Sequence, residues 1–163
     1  MKKLLVSTLI AVMVGATLTG CGNKGVGNGS SVEQSSSVSA KDVVAKLGEE
    51  EYVRMPAEID DTMAKDIFHL NLDDVEDYGM LVTQISPGPG VIAVVKAKEG
   101  KVEDVKASLE QYLQDQIGNA FYPEEQEAAE NAKVEVNGNL VSLFLLNSEV
   151  ASDAEAKYAE LIK

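Results

Sequence analysis

The sequence predicts an α+β fold: a single small domain with about four strands in two hairpins, forming an antiparallel or mixed sheet, and with helices packed on it. Three observations support this prediction. Two pairs of β-favouring segments, at 78–98 and 133–146, are each interrupted by turn-forming residues. Apolar residues at three- and four-residue spacing precede, separate and follow these pairs, as is typical of helices that bury one face. Hairpins joined through helices favour a sheet that the helices cover.

Two helices are predicted before the first hairpin. Ser39 is expected to cap the first helix, because a serine hydroxyl accepts one of the free amide hydrogens at a helix start. The apolar face of this helix comprises Ala40, Val43, Val44 and Leu47. The second helix is predicted from an apolar stripe at four- and three-residue spacing. That stripe comprises Ile59, Met63, Ile67 and Leu70.

The first hairpin is predicted from two strands and the turn between them. Tyr78–Ser86 alternates weakly between apolar and polar residues, and Val91–Lys98 is β-branched and apolar enough for a central strand. The intervening Ser-Pro-Gly-Pro-Gly at 86–90 is expected to form a turn, because proline lacks an amide hydrogen and glycine favours irregular backbone.

The longest helix is predicted to begin after Gly100. Its buried stripe comprises Val102, Val105, Leu109, Leu113 and Ile117. Gly118 is expected to end this helix in the left-handed conformation, which glycine adopts without steric cost. A short acidic helix is then predicted from Pro123, a residue that suits the first helical position, to about Glu130.

The second hairpin and a final helix complete the predicted domain. The strands are 133–136 and 140–146, joined by the Asn-Gly pair at 137–138, which is typical of a type I′ turn. Ser152 and Glu155 have the spacing of a capping box and predict the start of the last helix. Its buried residues are expected to be Ala154, Tyr158 and Leu161 or Ile162.

The N-terminus has the pattern of a secretory signal peptide. Two lysines follow Met1, and an apolar stretch of about 13 residues, LLVSTLIAVMVGA, runs from Leu4 to Ala16. A transmembrane helix needs about 20 predominantly apolar residues, whereas only 16 residues lie between Leu4 and Thr19, and serine and threonines are among them. We therefore predict that residues 1–20 are a lipoprotein signal peptide.

Leu18-Thr19-Gly20-Cys21 resembles the lipobox of bacterial lipoproteins, in which an apolar residue and two small residues precede a cysteine. The resemblance implies cleavage between Gly20 and Cys21 and a thioether-linked diacylglycerol on Cys21, the single cysteine of the chain. A cysteine thiolate is a strong nucleophile and suits this alkylation. Two acyl chains anchor a protein stably in a membrane, whereas one chain does not. The alternative is an incidental cysteine in a signal peptide that is cut elsewhere.

Residues 21–39 are predicted to be the lipidated cysteine and a flexible tether. Residues 22–39 contain four glycines, six serines and no aromatic residue, which is too little apolar surface to fold.

Positions 20–25 also match G-x-G-x-x-G, with Asp42 near the spacing of a ribose-binding acid. A dinucleotide site requires this loop between a buried strand and a helix, and a signal peptide and a tether flank it here, so we reject that interpretation. Residues 40–163 remain as the single α+β domain.

The net charge disfavours some classes of partner. Removal of residues 1–20 leaves 12 basic and 27 acidic side chains, a formal charge of −15 before the new terminus is counted. Nucleic-acid binding is disfavoured because it depends on lysine and arginine to neutralise phosphates. Anionic lipid headgroups repel an acidic surface. We therefore expect the acyl anchor, rather than charge, to hold the protein at the extracytoplasmic face of the cell membrane.

The order of these elements and several local phrases resemble a bacterial family, the domain of unknown function 4358. The phrases are FHLNLDDVEDY at 68–78, VIAVVKAK at 91–98, VEDVK at 102–106, YPEEQ at 122–126 and NAKV at 131–134. The resemblance covers roughly residues 50–160. The sequence departs from the family pattern at Val91, where an acidic residue often stands, and in the long helix, which lacks the family's arginine. Members are typically predicted lipoproteins, in agreement with Cys21, but the resemblance implies no activity and no catalytic residues.

Few residues suggest catalysis or metal binding. His69 is the single histidine, and without a second histidine or a free cysteine it makes a poor zinc site, so we expect a partly exposed residue at a helix end. A second candidate is an acidic run that comprises Asp73, Asp74, Glu76 and Asp77. This run fails the calcium-loop pattern, because Val75 occupies a ligand position. We expect its first two residues to cap a short helical turn before the Tyr78 strand.

Two more groups lie around the predicted start of the acidic helix. Its first turn carries three acids, Glu124, Glu125 and Glu127, and negative charge is favoured there by the helix dipole alone. Phe121 and Tyr122, with Tyr112, would make an aromatic platform for a sugar or a peptide if they were exposed. Aromatic residues beside a helix junction are more often core residues, and this is the interpretation that we favour.

Taken together, these features predict a lipid-anchored extracytoplasmic protein that acts as a non-enzymatic binding or accessory module at the cell envelope. The expected partners are the membrane, through the lipid, and an envelope protein or a small ligand, with no nucleic acid. No cofactor is expected apart from the covalent diacylglycerol on Cys21. Two alternatives are a small cell-envelope hydrolase that uses paired carboxylates and a solute-binding component of a transporter.

Overall fold

Five antiparallel strands form the centre of the domain in the computed structural model, which describes residues 37–163. The predicted signal peptide, the predicted cleavage site between Gly20 and Cys21, the predicted lipidation site and the motif at 20–25 lie outside the described residues. The strands are β1 (Pro56–Glu58), β2 (Val75–Thr83), β3 (Val91–Ala97), β4 (Val134–Asn137) and β5 (Leu140–Leu145). Their order in the sheet is β1-β2-β3-β5-β4. The predicted α+β class is confirmed, with both hairpins and with β1 as an additional edge strand.

Helices cover both faces of this sheet. The helices are α1 (Ala40–Gly48), α2 (Asp61–Asp66), α3 (Val102–Asn119), α4 (Pro123–Asn131) and α5 (Ala151–Leu161), with a 3-10 turn at Leu72–Asp74. One core contains residues of α2, α3 and α4, and the other contains residues of α1 and α5. The central strand β3 supplies Ala93 and Val95 to the first core and Ile92 and Val94 to the second, so it is buried on both faces.

The helix α1 forms as the sequence predicts. The Ser39 hydroxyl accepts the Asp42 amide hydrogen at 3.2 Å, and the predicted apolar face is buried. The helix crosses β2 closely at Gly79, where an added Cβ would lie 2.8 Å from the Val44 Cβ and 3.0 Å from the Lys41 Cα. Glycine at this point of the strand therefore lets the helix backbone approach the sheet.

The prediction for the second helix is wrong in its extent and in part of its buried face. The helix α2 begins after Asp60, whose side chain accepts the Met63 amide hydrogen at 2.9 Å, and it ends at Asp66. Met63 and Ile67 are exposed, whereas Ala64 is fully buried. The helix is too short for the predicted stripe to continue, and Phe68 enters the core from the irregular segment that follows.

The long helix α3 also differs at its end. Its first four predicted stripe residues are buried, but Ile117 is exposed. Gly118 remains within the helix, and Ala120 is the C-cap with φ −68° and ψ 120°. An added Cβ at Gly118 would meet no atom within 4 Å, so this position of the last turn faces open space. The prediction that Gly118 ends this helix in the left-handed conformation is therefore wrong.

The second hairpin and the last helix differ from their predictions in local detail. Asn137 pairs with Leu140, so Gly138 and Asn139 are the loop residues, and only Gly138 has a positive φ, 61°. This pattern matches a type II′ turn rather than the predicted type I′ turn. The helix α5 begins at Ala151, before the predicted capping serine, and its N-cap makes no side-chain hydrogen bond.

Asn147 provides the turn that leads into α5. Its side-chain oxygen accepts the amide hydrogens of Glu149 at 3.1 Å and Val150 at 3.3 Å. These bonds position the chain before the helix, in place of the predicted capping box. Ala154 and Tyr158 are buried as predicted.

Within residues 37–163, none of the helices combines the length and the apolar composition that a bilayer crossing requires.

Candidate functional site

A cleft of about 370 Å³ lies along the outer edge of β2. The short strand β1 pairs with β2 only at Leu81–Thr83. Over the first half of β2, residues 75–79, no other described strand of residues 37–163 pairs on this side. The first half of β2 is therefore a free edge of the sheet, and the cleft follows that edge.

Three elements form the walls of the cleft. On one side lies α1, with Lys41, Val44 and Ala45. The segment from β1 into α2 and the 3-10 turn complete the lining, with the residues Glu58, Ile59, Asp61 and Leu72. The site thus combines apolar side chains with charged groups, the composition that is common in small-ligand and peptide sites.

The register of β2 determines which backbone groups face the cleft. In an antiparallel pair, alternate residues direct both backbone polar groups towards the same neighbour. The Thr83 amide donates to the Gly90 carbonyl at 2.7 Å, on the β3 side. Tyr78 is separated from Thr83 by an odd number of positions in a regularly paired part of β2. Because the direction alternates from residue to residue, the Tyr78 amide and carbonyl point away from β3. On that side the Met80 carbonyl accepts the Ile59 amide hydrogen at 3.3 Å, and Tyr78 lies beyond this last bond.

The Asp77 side chain connects β2 to the start of α1 by hydrogen bonds. Its Oδ2 atom accepts the Ser39 hydroxyl hydrogen at 2.8 Å and the Lys41 amide hydrogen at 3.2 Å. A carboxylate at the positive end of a helix is further stabilised by the helix dipole. The Asp77 carboxylate therefore holds the wall of the cleft in place.

Tyr78 connects the strand to α2. Its hydroxyl donates to Asp61 Oδ1 at 2.5 Å. Burial, followed by the hydrogen bond to the Asp61 carboxylate and the negative charges of Asp61 and Asp60, raises the pKa of Tyr78 to about 12. The hydroxyl therefore stays protonated at neutral pH and remains a hydrogen-bond donor.

The charges around the cleft are mostly negative. Its lining carries one ammonium group, that of Lys41, and four carboxylates: Glu58, Asp61, Glu76 and Asp77. The ammonium of Lys96 pairs with Glu76 at 2.8 Å. An unbalanced set of carboxylates favours cationic ligands over anionic ones.

His69 lies away from the cleft. It is a partly exposed residue just after α2, as predicted, and has a left-handed backbone with φ 57°. Its Nε2 atom is 2.7 Å from Asp115 Oδ2 on α3. The pair connects the end of α2 to α3, and among residues 37–163 no three histidine, cysteine or acidic side chains form a group that could hold a metal ion.

The acidic residues of the run at 73–77 contact different partners and do not form one site. Asp74 pairs with Lys101 at 3.0 Å, while Glu76 and Asp77 make the contacts described above. The predicted short turn is present, but its cap is Asn71, whose side-chain oxygen accepts the Asp73 amide hydrogen at 3.2 Å. The prediction that Asp73 and Asp74 form the cap is therefore wrong, because they lie within the turn.

The aromatic residues divide between the core and the surface. Tyr112 is buried and stacks on Phe68 with ring centroids 4.2 Å apart. Phe121 is 90% exposed and Tyr122 is 50% exposed, so our prediction that they are core residues is wrong. They lie in the connection between α3 and α4. Of the three nearby acids, Glu125 accepts the Gly88 amide hydrogen at 3.0 Å and so connects α4 to the β2–β3 turn.

These features define a class: a small α+β domain with a mixed apolar and acidic cleft at the free edge of an antiparallel sheet. The family follows from the sequence. The chain belongs to the family described as Domain of unknown function (DUF4358), whose model matches residues 49–146, and the predicted family is thereby confirmed. The match contains the whole of β2 but begins after α1. No curated protein and no solved structure matches the chain.

The cleft itself was not predicted from the sequence. It depends on where β1 stops pairing with β2, and β1 has only three residues, Pro56–Glu58, without β-branched character. One local signal was available. Gly79 lies inside a strand, and an isolated strand glycine often indicates that another backbone approaches closely.

Proposed function

We propose that this chain is a lipid-anchored extracytoplasmic protein whose folded domain is a non-enzymatic binding module at the cell envelope. The observation that carries the binding role is the cleft along the free edge of β2. A sheet edge with unpaired backbone groups and apolar walls favours association with another chain or ligand.

The polar groups of the cleft support binding rather than catalysis. Asp77 accepts two hydrogen bonds from the start of α1, and Asp61 accepts one from Tyr78. These carboxylates therefore act as structural acceptors. A general acid or base needs instead to reach a proton of its substrate.

The anchor is proposed from the sequence alone. Cleavage between Gly20 and Cys21 would make Cys21 the lipidated first residue. Residues 22–39 would then act as a tether with a root-mean-square span of about 23 Å and a reach of about 60 Å when extended. Partners are therefore expected within this distance of the membrane.

The anchor is tested with Cys21→Ser, with Ser37→Ala in the tether as the matched control. Lysates of the source bacterium are separated into membrane and soluble fractions, and the chain is detected by an epitope tag at its C-terminus. We expect the control variant in the membrane fraction and Cys21→Ser in soluble or uncleaved form. Membrane association of Cys21→Ser as a cleaved chain of the control's size would contradict the lipid anchor.

The binding role is tested by site-specific photo-crosslinking in native membranes. A photoreactive residue is placed at Ala45, which lines the cleft, or at Lys46, an exposed neighbour on α1 that does not line it. We expect a discrete crosslinked product from position 45 and none of the same mass from position 46. Identical products from both positions, or none from position 45, would contradict binding in the cleft.

A further inference from the structure

We propose that the cleft binds an extended, basic segment of a partner protein, which pairs with the free edge of β2 as an additional strand. This inference rests on the proposed function, because both require the cleft to be a binding site. It goes further by naming the chemistry of the ligand and its mode of binding.

The backbone of β2 supplies the first argument. The Tyr78 amide and carbonyl point into the cleft, and no described strand of residues 37–163 pairs with them. An extended peptide presents a donor and an acceptor towards one edge at every second residue and so matches these two groups. Addition of a strand to an exposed sheet edge is a recurrent mode of peptide recognition.

The side chains of the cleft supply the second argument. Alternate residues of an added strand would face opposite sides of the sheet. Apolar residues of the peptide would contact Val44 on one wall or Ile59 and Leu72 on the others. Basic residues of the peptide would face Glu58 and Asp61, because Glu76 already pairs with Lys96 and Asp77 already accepts hydrogen bonds from the start of α1. Charge complementarity of this kind selects a basic partner.

Charge also argues against a second copy as the occupant. The chain has a formal charge of −13, and pairing of two β2 edges would bring the acidic linings of both clefts together. The chain's own tether is a poor occupant by composition, because residues 22–39 contain a single basic residue, Lys24, and are mostly glycine and serine. Both occupants are outcomes that the experiment below distinguishes.

The test uses the purified full chain in detergent micelles and a capped eight-residue peptide of alternating lysine and valine, labelled for fluorescence anisotropy. Three further peptides replace lysine by glutamate, methylate the amides along one edge, or methylate the amides along the other edge. We expect the glutamate peptide and one methylated peptide to lose at least about tenfold in affinity, which corresponds to about 1.4 kcal/mol. The other methylated peptide should bind like the parent, because only one peptide edge faces β2.

A pair of protein variants locates the site. Glu58→Lys reverses a charge in the cleft, whereas Glu135→Lys reverses an exposed charge on β4, the opposite edge of the sheet. We expect Glu58→Lys to weaken binding of the lysine-valine peptide about fivefold or more, as loss of about 1 kcal/mol implies, and Glu135→Lys to leave it unchanged. Equal effects of the two variants would overturn the assignment.

Hydrogen exchange at the Tyr78 amide gives the decisive readout. This amide should exchange rapidly in the free protein and slowly with the peptide bound. Failure of the peptide to bind, or binding without protection of Tyr78, would overturn the inference. Protection in the free protein that depends on protein concentration would assign the edge to a second copy, and concentration-independent protection would assign it to the tether. A cleft-specific crosslink in membranes would still support the proposed function in each of these cases.

Discussion

At the scale of single residues, adjacent positions of β2 have different roles. Asp77 holds the start of α1, Tyr78 bonds to α2, and Gly79 lets α1 approach the sheet. The sequence identified Asp77 only as one of several acids and gave no indication of its partners, because these partners are 36 and 38 residues away along the chain. Contacts of this range depend on the packed fold, not on local sequence.

Replacement of Asp77 by alanine should destabilise the domain. The substitution removes two hydrogen bonds to a carboxylate and leaves the first turn of α1 unfastened, so we expect a loss of about 1.5–3 kcal/mol in the free energy of unfolding. Urea denaturation measures this loss. Glu155→Ala, an exposed acid on α5, is the control and should change stability by less than about 0.5 kcal/mol. Equal stability of both variants would contradict the conclusion that Asp77 stabilises the start of α1.

Replacement of Tyr78 by phenylalanine should change stability and its dependence on pH. Loss of the hydrogen bond to Asp61 is expected to cost about 1 kcal/mol near neutral pH. The pKa of Tyr78 is raised from 10.0 to about 12 in the folded protein, so its contribution is complete below pH 10 and is lost as the pH rises towards 12.

Unfolding free energies measured across this alkaline range provide the check. Tyr78→Phe should lose less stability between pH 10 and 12 than the wild type does. Some loss should remain, because the pKa values of Tyr52 and Tyr112 are also raised to about 12. Tyr122→Phe, at a half-exposed position, is the control. Identical alkaline profiles for wild type and Tyr78→Phe would be evidence against the Tyr78 assignment.

At the scale of elements, the sequence predicted what local patterns encode. Two hairpins, the capped helix α1 and the first part of α3 were confirmed, because each has its own periodicity and turn or cap residues. The strand β1 was not predicted, because its Pro-Ala-Glu sequence has no strand pattern. The apolar stripe predicted for α2 extends beyond the helix that forms. The cleft, which exists because β1 is short, was therefore also not predicted.

The close approach of α1 to β2 can be tested with two glycine substitutions. Gly79→Ala would place a Cβ 2.8 Å from the Val44 Cβ and 3.0 Å from the Ala40 carbonyl oxygen, so the helix must shift. We expect a loss of about 1–3 kcal/mol. Gly118→Ala, in open space within α3, should instead stabilise by about 0.5–1 kcal/mol. Thermal unfolding distinguishes the two, and a neutral Gly79→Ala would show that α1 does not need this contact.

At the scale of the whole molecule, the domain is covered by helices on both faces of the sheet and remains open along part of one edge. The proposed tether would keep the domain within about 60 Å of the membrane. The formal charge of the full chain is −13, so charge attraction would not hold this domain at anionic lipids.

Retention in membranes should therefore resist salt. A protein that is held by charge is released in molar salt, because screening reduces attraction between exposed charges. We expect the wild-type chain to remain in the membrane pellet after such a wash and to leave it only with detergent. Release of the wild type by salt alone would contradict anchoring through acyl chains.

The most direct test of a binding site at the free edge of β2 is hydrogen exchange of the β2 segment, residues 75–80. The exchange rate is compared between the purified chain in detergent micelles and the chain in native membrane vesicles. If the free edge of β2 is a binding site, exchange at Tyr78 should slow in the vesicles, while exchange at β4 should not change. Equal exchange of residues 75–80 in both preparations would contradict the claim that this edge binds a partner at the envelope.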